Sequence, residues 1–300
     1  MTRILGAGET AARLPYAALA DAIRDVSLSE IEAPPRLAVP LPEGGVLLVM
    51  PASDGEIAVT KLVTVHPGNT ARGMPTIQGE MVVMEAVTGR RLGFLDGATV
   101  TARRTAALSL LAARELAPQP EGPLLVVGAG AQGRSHLEAF REGLGVQRAY
   151  VSSRTPESAR ILVEHARELG MEARVTEDIE EALAEARLVV TATTSREPVL
   201  PGEVADGTFV AAVGSFEPEA AELHPDLFPG STVVVDTMEG AKEEAGDLIR
   251  AESAGTFRWA DATELEEVLR GGDRPSGTVV FKSVGHSQWD LAAARTAFSS

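Results

Sequence analysis

Three glycines in the middle of the chain have the spacing of a dinucleotide-binding turn, Gly-x-Gly-x-x-Gly. They directly follow the apolar run Leu124–Val127, and apolar residues at helical spacing follow them. The first glycine of such a turn permits the tight bend, the second lets a pyrophosphate approach the backbone, and the third lets helix pack on strand. A glycine-rich turn without a ligand is the alternative. With the first N–H groups of the helix, the expected cofactor-binding residues are Gly128, Gly130, Ala131, Gln132 and Gly133.

The residues after the next apolar run, Ala149–Ser152, bear on which dinucleotide is bound. In NAD-binding versions an acidic residue about 20 positions further on accepts the ribose hydroxyls. Here that position holds Ser153, next to Arg154. A hydroxyl and a guanidinium suit a 2′-phosphate, because arginine binds phosphate oxygens bidentately. We therefore expect NADP(H) in preference to NAD(H), bound by Ser153, Arg154 and Thr155, although Arg154 as a solvated turn residue stays open.

Three basic residues in the first third of the chain could bind an anion or move a proton. Arg36 follows two prolines that stiffen its backbone, and Arg104 lies near the start of an alanine-rich helix. Lys61 interrupts an apolar strand, where a charge is costly unless it has an anionic partner or a lowered pKa. Taken singly, each residue could equally form a salt bridge or lie in solvent.

The composition restricts the class of protein. The 300 residues suggest two domains, and the lack of cysteine excludes disulfides and a cysteine nucleophile. With 27 basic and 43 acidic residues, the net charge of −16 argues against a nucleic-acid partner. The sequence has neither the apolar core of a signal peptide nor an apolar run of membrane-spanning length, so we expect no membrane partner and a cytoplasmic location.

The pattern of elements changes near the glycine turn. Before it, helical and strand-like segments form an α+β unit: helices over 15–25 and 99–116, and strands over 45–50, 56–65, 78–87 and 91–95. After it, strands alternate with helices, which predicts a doubly wound parallel sheet. Its six predicted strands are Leu124–Val127, Ala149–Ser152, Ala173–Val175, Leu188–Ala192, Phe209–Val213 and Thr232–Val235, with a further helix over 261–270. Thr193 and Thr194 follow the fourth strand, where ligands lie in such sheets, and are expected at the cofactor.

Several motifs together resemble the ornithine cyclodeaminase/μ-crystallin family over nearly the whole chain. They are KLVTVHPGN from Lys61, RTAALS from Arg104, GAGAQG from Gly128, DTMEG from Asp236 with EAGD from Glu244, and FKSVG from Phe281. The resemblance implies an α/β protein in which a Rossmann domain is inserted in an α+β domain for substrate binding and dimerisation. The implied domains are 1–118 plus 281–300 and 119–280, in a homodimer that acts on imino and amino acids with NAD(P).

The resemblance also assigns roles to single residues. It implies that Arg36 and Arg104 bind the substrate carboxylate and that Lys61 is the active-site lysine. Thr76 and Gly285 match positions near the cofactor. None of the five histidines pairs with another at metal-ligand spacing, so no metal site is predicted, and Asp236 and Asp247 are expected to brace loops.

Two departures from the family pattern favour one branch of it. Phe216 stands where cyclodeaminases carry an aspartate, and Leu48 where they carry a glutamate. The second ammonium of ornithine would then lack its carboxylate partners, which is costly in a closed site, whereas an apolar substituent suits both residues. The chain is thus similar to the Δ1-pyrroline-2-carboxylate (ketimine) reductase branch, which implies reduction of a cyclic imino acid to L-proline or L-pipecolate. Ornithine cyclodeaminase, an alanine-dehydrogenase-like enzyme and a non-catalytic NADPH-binding protein remain alternatives.

Overall fold

The computed structural model describes residues 3–298 apart from 273, 274 and 276. Its contacts divide the chain into two compact units, Met1–Arg104 with His286–Ser300, and Thr105–Gly285. These boundaries differ from the predicted ones after residues 118 and 280. The second half of one long helix and the strand Val279–Lys282 both belong with the second unit. Within the described part of the chain, no helix is both long and apolar enough to cross a bilayer.

The first unit contains a six-stranded sheet and the helices that accompany it. The strands lie in the order β1-β6-β5-β4-β3-β2; β1 is parallel to β6 and every other pair is antiparallel. The elements are β1 (Arg3–Leu5), α1 (Ala7–Ala12), α2 (Tyr16–Ser27), β2 (Leu37–Leu41), β3 (Gly45–Ser53), β4 (Ile57–Val65), β5 (Ile77–Glu85), β6 (Arg91–Asp96), the start of α3 (Gly97–Leu116), and α10 (Ser287–Phe298).

Alternation along β4 decides which side chains of this sheet are buried. Val59, Lys61 and Val63 are buried, whereas Leu62 between them is 43% exposed. Since paired residues of an antiparallel sheet share a face, Lys61 lies in a row with Met50 on β3 and Met81 on β5, both buried. Helix α10 packs on β3, β4 and α2. The alternation of the strand therefore places the side chain of Lys61 in a hydrophobic layer.

The second unit contains an eight-stranded parallel sheet. Its order is β13-β12-β14-β11-β10-β7-β8-β9, and the four central strands β14, β11, β10 and β7 are buried along their whole length, as parallel strands covered on both faces require. The elements are β7 (Leu124–Val127), α4 (Ala131–Leu144), β8 (Arg148–Ser152), α5 (Pro156–Glu168), β9 (Glu172–Val175), α6 (Ile179–Glu185), β10 (Leu188–Thr191), β11 (Phe209–Ala212), β12 (Thr232–Val235), α7 (Met238–Glu244), α8 (Gly246–Ser253), β13 (Ala262–Glu264), α9 (Leu265–Leu269) and β14 (Val279–Lys282).

Two strands of this sheet were not predicted. The segment 261–270, predicted as one helix, begins as the edge strand β13, and α9 occupies only Leu265–Leu269. β13 is too short for periodicity to reveal, and its pairing with β12 decides its conformation. Strand β14 was divided between the two predicted domains, but it lies between β11 and β12 with every residue buried.

The strand order reverses at β7. From β7 the chain builds outward to β8 and β9, and it then returns to the opposite side of β7 with β10 and β11. In doubly wound sheets the crevice at this switch point, at the carboxyl ends of the strands, is where dinucleotides bind. The glycine turn follows β7 at this edge.

Candidate active site

Two of the three glycines are required by the protein itself. Gly128 has φ of +111°, and a Cβ there would lie 2.4 Å from the carbonyl oxygen of Ala192, just after β10. A Cβ on Gly133 would lie 1.9 Å from the carbonyl oxygen of Gly128, because helix α4 passes directly over the turn. The first glycine thus permits the tight turn, and the third the close approach of helix and strand.

The middle glycine, Gly130, is not required by any close contact within the described residues. A Cβ on Gly130 would meet no described atom within 4 Å, although it would occupy the space in front of the N-terminus of α4. Beside it, the side-chain oxygen of Gln132 is buried without a hydrogen-bond partner among the described residues. Open space, free helical N–H groups and a positive helix end are what a pyrophosphate requires. The turn therefore fits a dinucleotide.

The end of β8 presents the residues predicted to choose between the two dinucleotides. Ser153 is half-buried, and Arg154 and Thr155 are exposed. Thr155 donates a hydrogen bond from Oγ1 to Oγ of Ser158, and α5 begins at Pro156. The guanidinium of Arg154 is therefore accessible to a ligand at the adenosine side of the switch point, as its predicted role requires.

Lys61 and Arg104 converge on a carboxylate that sequence reasoning did not identify. Lys61 Nζ lies 2.8 Å from Oδ1 of Asp290 on α10, and Arg104 Nε lies 3.4 Å from the same oxygen. Lys61 is 1% exposed and Asp290 0%. Arg104 Nε and Asp290 Oδ2 have no hydrogen-bond partner among the described residues. The site thus contains a buried cluster of two cations and one anion with hydrogen-bonding capacity left over.

The surroundings of Lys61 lower its proton affinity. Burial is the largest cause, and together with the nearby charges it lowers the pKa of Lys61 from 10.5 to about 8. Asp290 opposes burial through its charge and its hydrogen bond, whereas the charges of Arg104 and Arg36 act with it. Arg36, half-buried immediately before β2, is thus close enough to act on Lys61. An ammonium with a pKa of about 8 is largely protonated at neutral pH and can readily give up its proton.

The remaining predicted residues lie in several places. Leu48 is 8% exposed and packs with Met50 and Val63 on the face of the sheet that carries Lys61. Phe216, in the second unit, is half-buried against the hydrophobic core of that unit. Thr76 lies half-buried immediately before β5.

The other predicted cofactor residues follow strands of the second sheet. Thr193 and Thr194 come after β10, with Thr193 half-buried and Thr194 exposed. Gly285 has φ of +87° and donates its N–H to Oδ2 of Asp236 at 2.7 Å. Ser283 Oγ and the Val284 N–H donate to the same oxygen. The prediction that Asp236 braces a loop is confirmed by these contacts.

Comparison with known proteins agrees with this geometry. The sequence profile of the ornithine cyclodeaminase/mu-crystallin family matches residues 8–300. The chain belongs to this family. It is 41% identical over 302 residues to Delta(1)-pyrroline-2-carboxylate reductase 1 of Burkholderia multivorans, covering 99% of this chain and 95% of the relative. It is 40% identical to the Delta(1)-pyrroline-2-carboxylate/Delta(1)-piperideine-2-carboxylate reductase of Azospirillum brasilense, covering 98% and 94% of the two chains.

A solved structure extends the likeness to three dimensions. The Δ1-pyrroline-2-carboxylate reductase of Thermococcus litoralis in complex with NADH and L-proline superposes with a TM-score of 0.93 at 28% identity, covering 99% of this chain and 97% of that one. The Rossmann fold expected for a member of the ornithine cyclodeaminase/mu-crystallin family is thus confirmed. Among the described residues, no group of three or more His, Asp or Glu is arranged to hold a metal ion.

Sequence reasoning about this family member missed Asp290. The residue is the only acid in the alanine-rich segment that becomes α10, and that isolation was the one available signal. It lies 229 positions from Lys61, so no local pattern connects the two. Only the packing of α10 on β4 makes it the counter-ion of the lysine.

Proposed function

We propose that this protein reduces Δ1-pyrroline-2-carboxylate and Δ1-piperideine-2-carboxylate to L-proline and L-pipecolate, with NADPH preferred over NADH. The observation that carries the proposal is the buried Lys61, with a pKa lowered to about 8 and two arginines near it. The names of the relatives support an oxidoreductase that acts on a C=N bond. The Azospirillum relative, whose name includes both imines, supports both ring sizes.

In this reaction the protein has to bind a carboxylate and supply one proton. Arg36 and Arg104 provide the positive charge for the carboxylate, and Arg104 Nε still has a donor to offer among the described residues. When bound, the reduced nicotinamide would supply the hydride for the imine carbon. Lys61 donates the matching proton from Nζ to the ring nitrogen, so hydride and proton together convert C=N to CH–NH. Lys61 is left neutral and recovers a proton from solvent.

Apolar residues support the cyclic substrate over ornithine. Leu48 lies among buried apolar side chains, with Met50 and Val63, on the Lys61 face of the sheet. Leu48 offers no partner to the second ammonium of a diamino acid, and burying that charge against an apolar side chain is costly. A hydrocarbon ring carries no such charge.

The function is tested by following reduced-cofactor absorbance with a panel of substrates. The panel contains the two cyclic imines, pyruvate with ammonia, and ornithine with the oxidised cofactor, each with both nicotinamide dinucleotides. We expect the highest kcat/KM with the cyclic imines and NADPH. Turnover of ornithine above that of the imines, or binding of cofactor with no turnover of any substrate, would contradict the proposal.

The NADPH preference is tested by replacing Arg154 with alanine. The variant should raise the Kd for NADPH by about tenfold or more, because a charge-assisted contact to the 2′-phosphate is lost, and should leave the Kd for NADH unchanged. Both values can be read from cofactor fluorescence. Arg160→Ala is the matched control, since Arg160 is an exposed arginine on α5 that pairs with Glu157 at 2.9 Å. Equal effects of Arg154→Ala on both dinucleotides would contradict the assignment.

We also propose that a second copy of this chain covers the face of the first sheet opposite Lys61. Leu37 is 61% exposed and Leu62 43%, and both pair with Val49, so they form one apolar row. Exposed apolar residues that adjoin on one face can form an interaction surface, and the dimeric habit that the family resemblance implies supports a second copy as its occupant.

The dimer is tested by light scattering after size exclusion. The wild type should elute as a dimer and Leu62→Glu as a monomer, because the new charge would be buried in the interface. Ile161→Glu is the control, since Ile161 is equally apolar and 59% exposed on α5 of the other unit, and it should remain dimeric. A monomeric wild type, or a dimeric Leu62→Glu variant, would exclude this surface.

A further inference from the structure

Three charged side chains are completely buried in the second unit, and the reaction described above uses none of them. Glu222, Asp247 and Lys282 are each 0% exposed. Lys282 Nζ lies 2.6 Å from Oδ2 of Asp247. Because burying charge is unfavourable unless the groups are paired and hydrogen-bonded, such a cluster is weak evidence for stability alone. Its contacts indicate another role.

The carboxylate of Glu222 joins two loops. Oε1 accepts hydrogen bonds from the Thr193 N–H at 2.6 Å and from Thr193 Oγ1 at 2.9 Å, and Oε2 accepts from the Gly214 N–H at 2.7 Å. Thr193 follows β10 and Gly214 follows β11, which is the neighbouring strand. A Cβ on Gly214 would lie 2.3 Å from the Thr193 nitrogen, so the two loops are in backbone contact. One side chain thus fixes the ends of two adjacent strands.

Asp247 and Lys282 form further contacts with Glu222 and with the loop after β11. Asp247 Oδ1 accepts from the N–H groups of Glu222 and Leu223 at 2.6 and 2.8 Å, as expected for a residue that braces a loop. Lys282, the last residue of β14, donates from Nζ to the carbonyl oxygen of Ser215 at 2.7 Å. The three charges therefore connect α8 and three strand ends in one continuous network.

The position of this network in the sheet indicates which half of a dinucleotide lies near it. A dinucleotide lies across the switch point with one nucleotide on each half of the sheet. Arg154 at the end of β8 assigns the adenosine half to one side of β7. The loops after β10 and β11 then belong to the nicotinamide half, and Gly128 contacts them, since a Cβ there would lie 3.2 Å from Thr193 Cγ2.

We propose that Glu222, Asp247 and Lys282 are positioning residues that fix the loops after β10 and β11 for the nicotinamide half of the cofactor. The proposal rests on the nicotinamide dependence of the proposed function and is independent of which imine is reduced. Binding sites need such support, because a first layer of contacts is only as accurate as the residues that hold it. Burial raises the pKa of Glu222, whereas the charge of Lys282 and the hydrogen bonds from Thr193 oppose that rise, because every donor that meets Glu222 requires an acceptor.

The test compares whole dinucleotides with fragments that lack the nicotinamide. In Glu222→Gln, an amide NH2 faces either Thr193 or Gly214, and one of the two loops loses its acceptor. The Kd for NADPH or NADH should rise by about tenfold or more, while the Kd for 2′-phospho-ADP-ribose or ADP-ribose stays unchanged. Titration calorimetry measures all four, and none of them depends on imine turnover.

Tyr150→Phe is the matched control, because it removes a 2.6 Å hydrogen bond from a buried tyrosine to Glu185 elsewhere in the same unit. It should lower Tm without changing the ratio of dinucleotide to fragment affinity. Hydrogen exchange of the wild type tests the proposal without any variant: segments 191–195 and 213–216 should gain protection with NADPH and not with 2′-phospho-ADP-ribose. Equal weakening of dinucleotide and fragment in Glu222→Gln, no weakening of either, or equal protection by both ligands would each overturn the proposal.

Discussion

Replacement of Lys61 by methionine should lower kcat for cyclic imine reduction by about 10²- to 10⁴-fold, the usual contribution of a positioned general acid. Methionine has a similar length and suits the apolar row between Met50 and Met81, but it carries no proton. The loss should be measured by stopped-flow oxidation of NADPH at saturating imine. The Kd for NADPH should stay unchanged, because the glycine turn expected to bind its phosphates is formed by other residues.

A second variant separates the proton from the charge. Lys61→Arg keeps a cation next to Asp290, yet a guanidinium does not release its proton in proteins. We expect Lys61→Arg to bind the substrate carboxylate more tightly than Lys61→Met, because it keeps the positive charge, while its kcat stays as low as that of Lys61→Met. If either variant kept kcat close to that of the wild type, Lys61 would not be the proton donor.

The second large effect is on pH dependence and involves Asp290. In the wild type, kcat/KM should fall as the pH rises through about 8, because burial lowers the pKa of Lys61 to about 8 and only its protonated form is an acid. Asp290 is the group that holds this pKa up. In Asp290→Asn the falling limb should move to lower pH by about one unit or more, as expected when an opposite charge in contact is lost. A full pH profile of kcat/KM measures the shift.

The control for this variant removes another carboxylate that pairs with α10. The side chain of Asp54 is 1% exposed and pairs with Arg295 on α10, and Asp54 is not among the charges that act on Lys61. Asp54→Asn should lower Tm through the loss of a partly buried ion pair and leave the falling limb where it is. A limb unmoved in Asp290→Asn, or moved equally in both variants, would mean that the carboxylate of Asp290 does not set the pKa of Lys61.

Much of the fold could be predicted because its signals are local. The glycine spacing, the apolar runs of β7, β10 and β12 and the alternation along β4 each lie within a few residues of sequence. The same locality explains the failures. β13 has three residues and owes its conformation to β12, and β14 could not be assigned to a sheet before its neighbours were known.

The candidate site was predictable in its cations and not in its anions. Lys61 was identified because it interrupts an apolar strand, and Arg36 and Arg104 were identified through the family resemblance. Asp290 gave no comparable signal, because an ion-pair partner is defined by contact in space, and the same holds for Glu222 and Lys282 in the buried network of the second unit. Asp247 was expected to brace a loop, but its pairing with Lys282 was not.

By itself, the sequence determined that a tight glycine turn follows β7 and that one lysine faces a hydrophobic layer, since these are consequences of glycine stereochemistry and of the two-residue period of a strand. The tertiary structure alone decided which carboxylate meets that lysine, and which buried charges hold the loops at the switch point. The physical reason is that the electrostatic energy of a buried group depends on distance and burial, and packing brings together residues that are far apart in the chain.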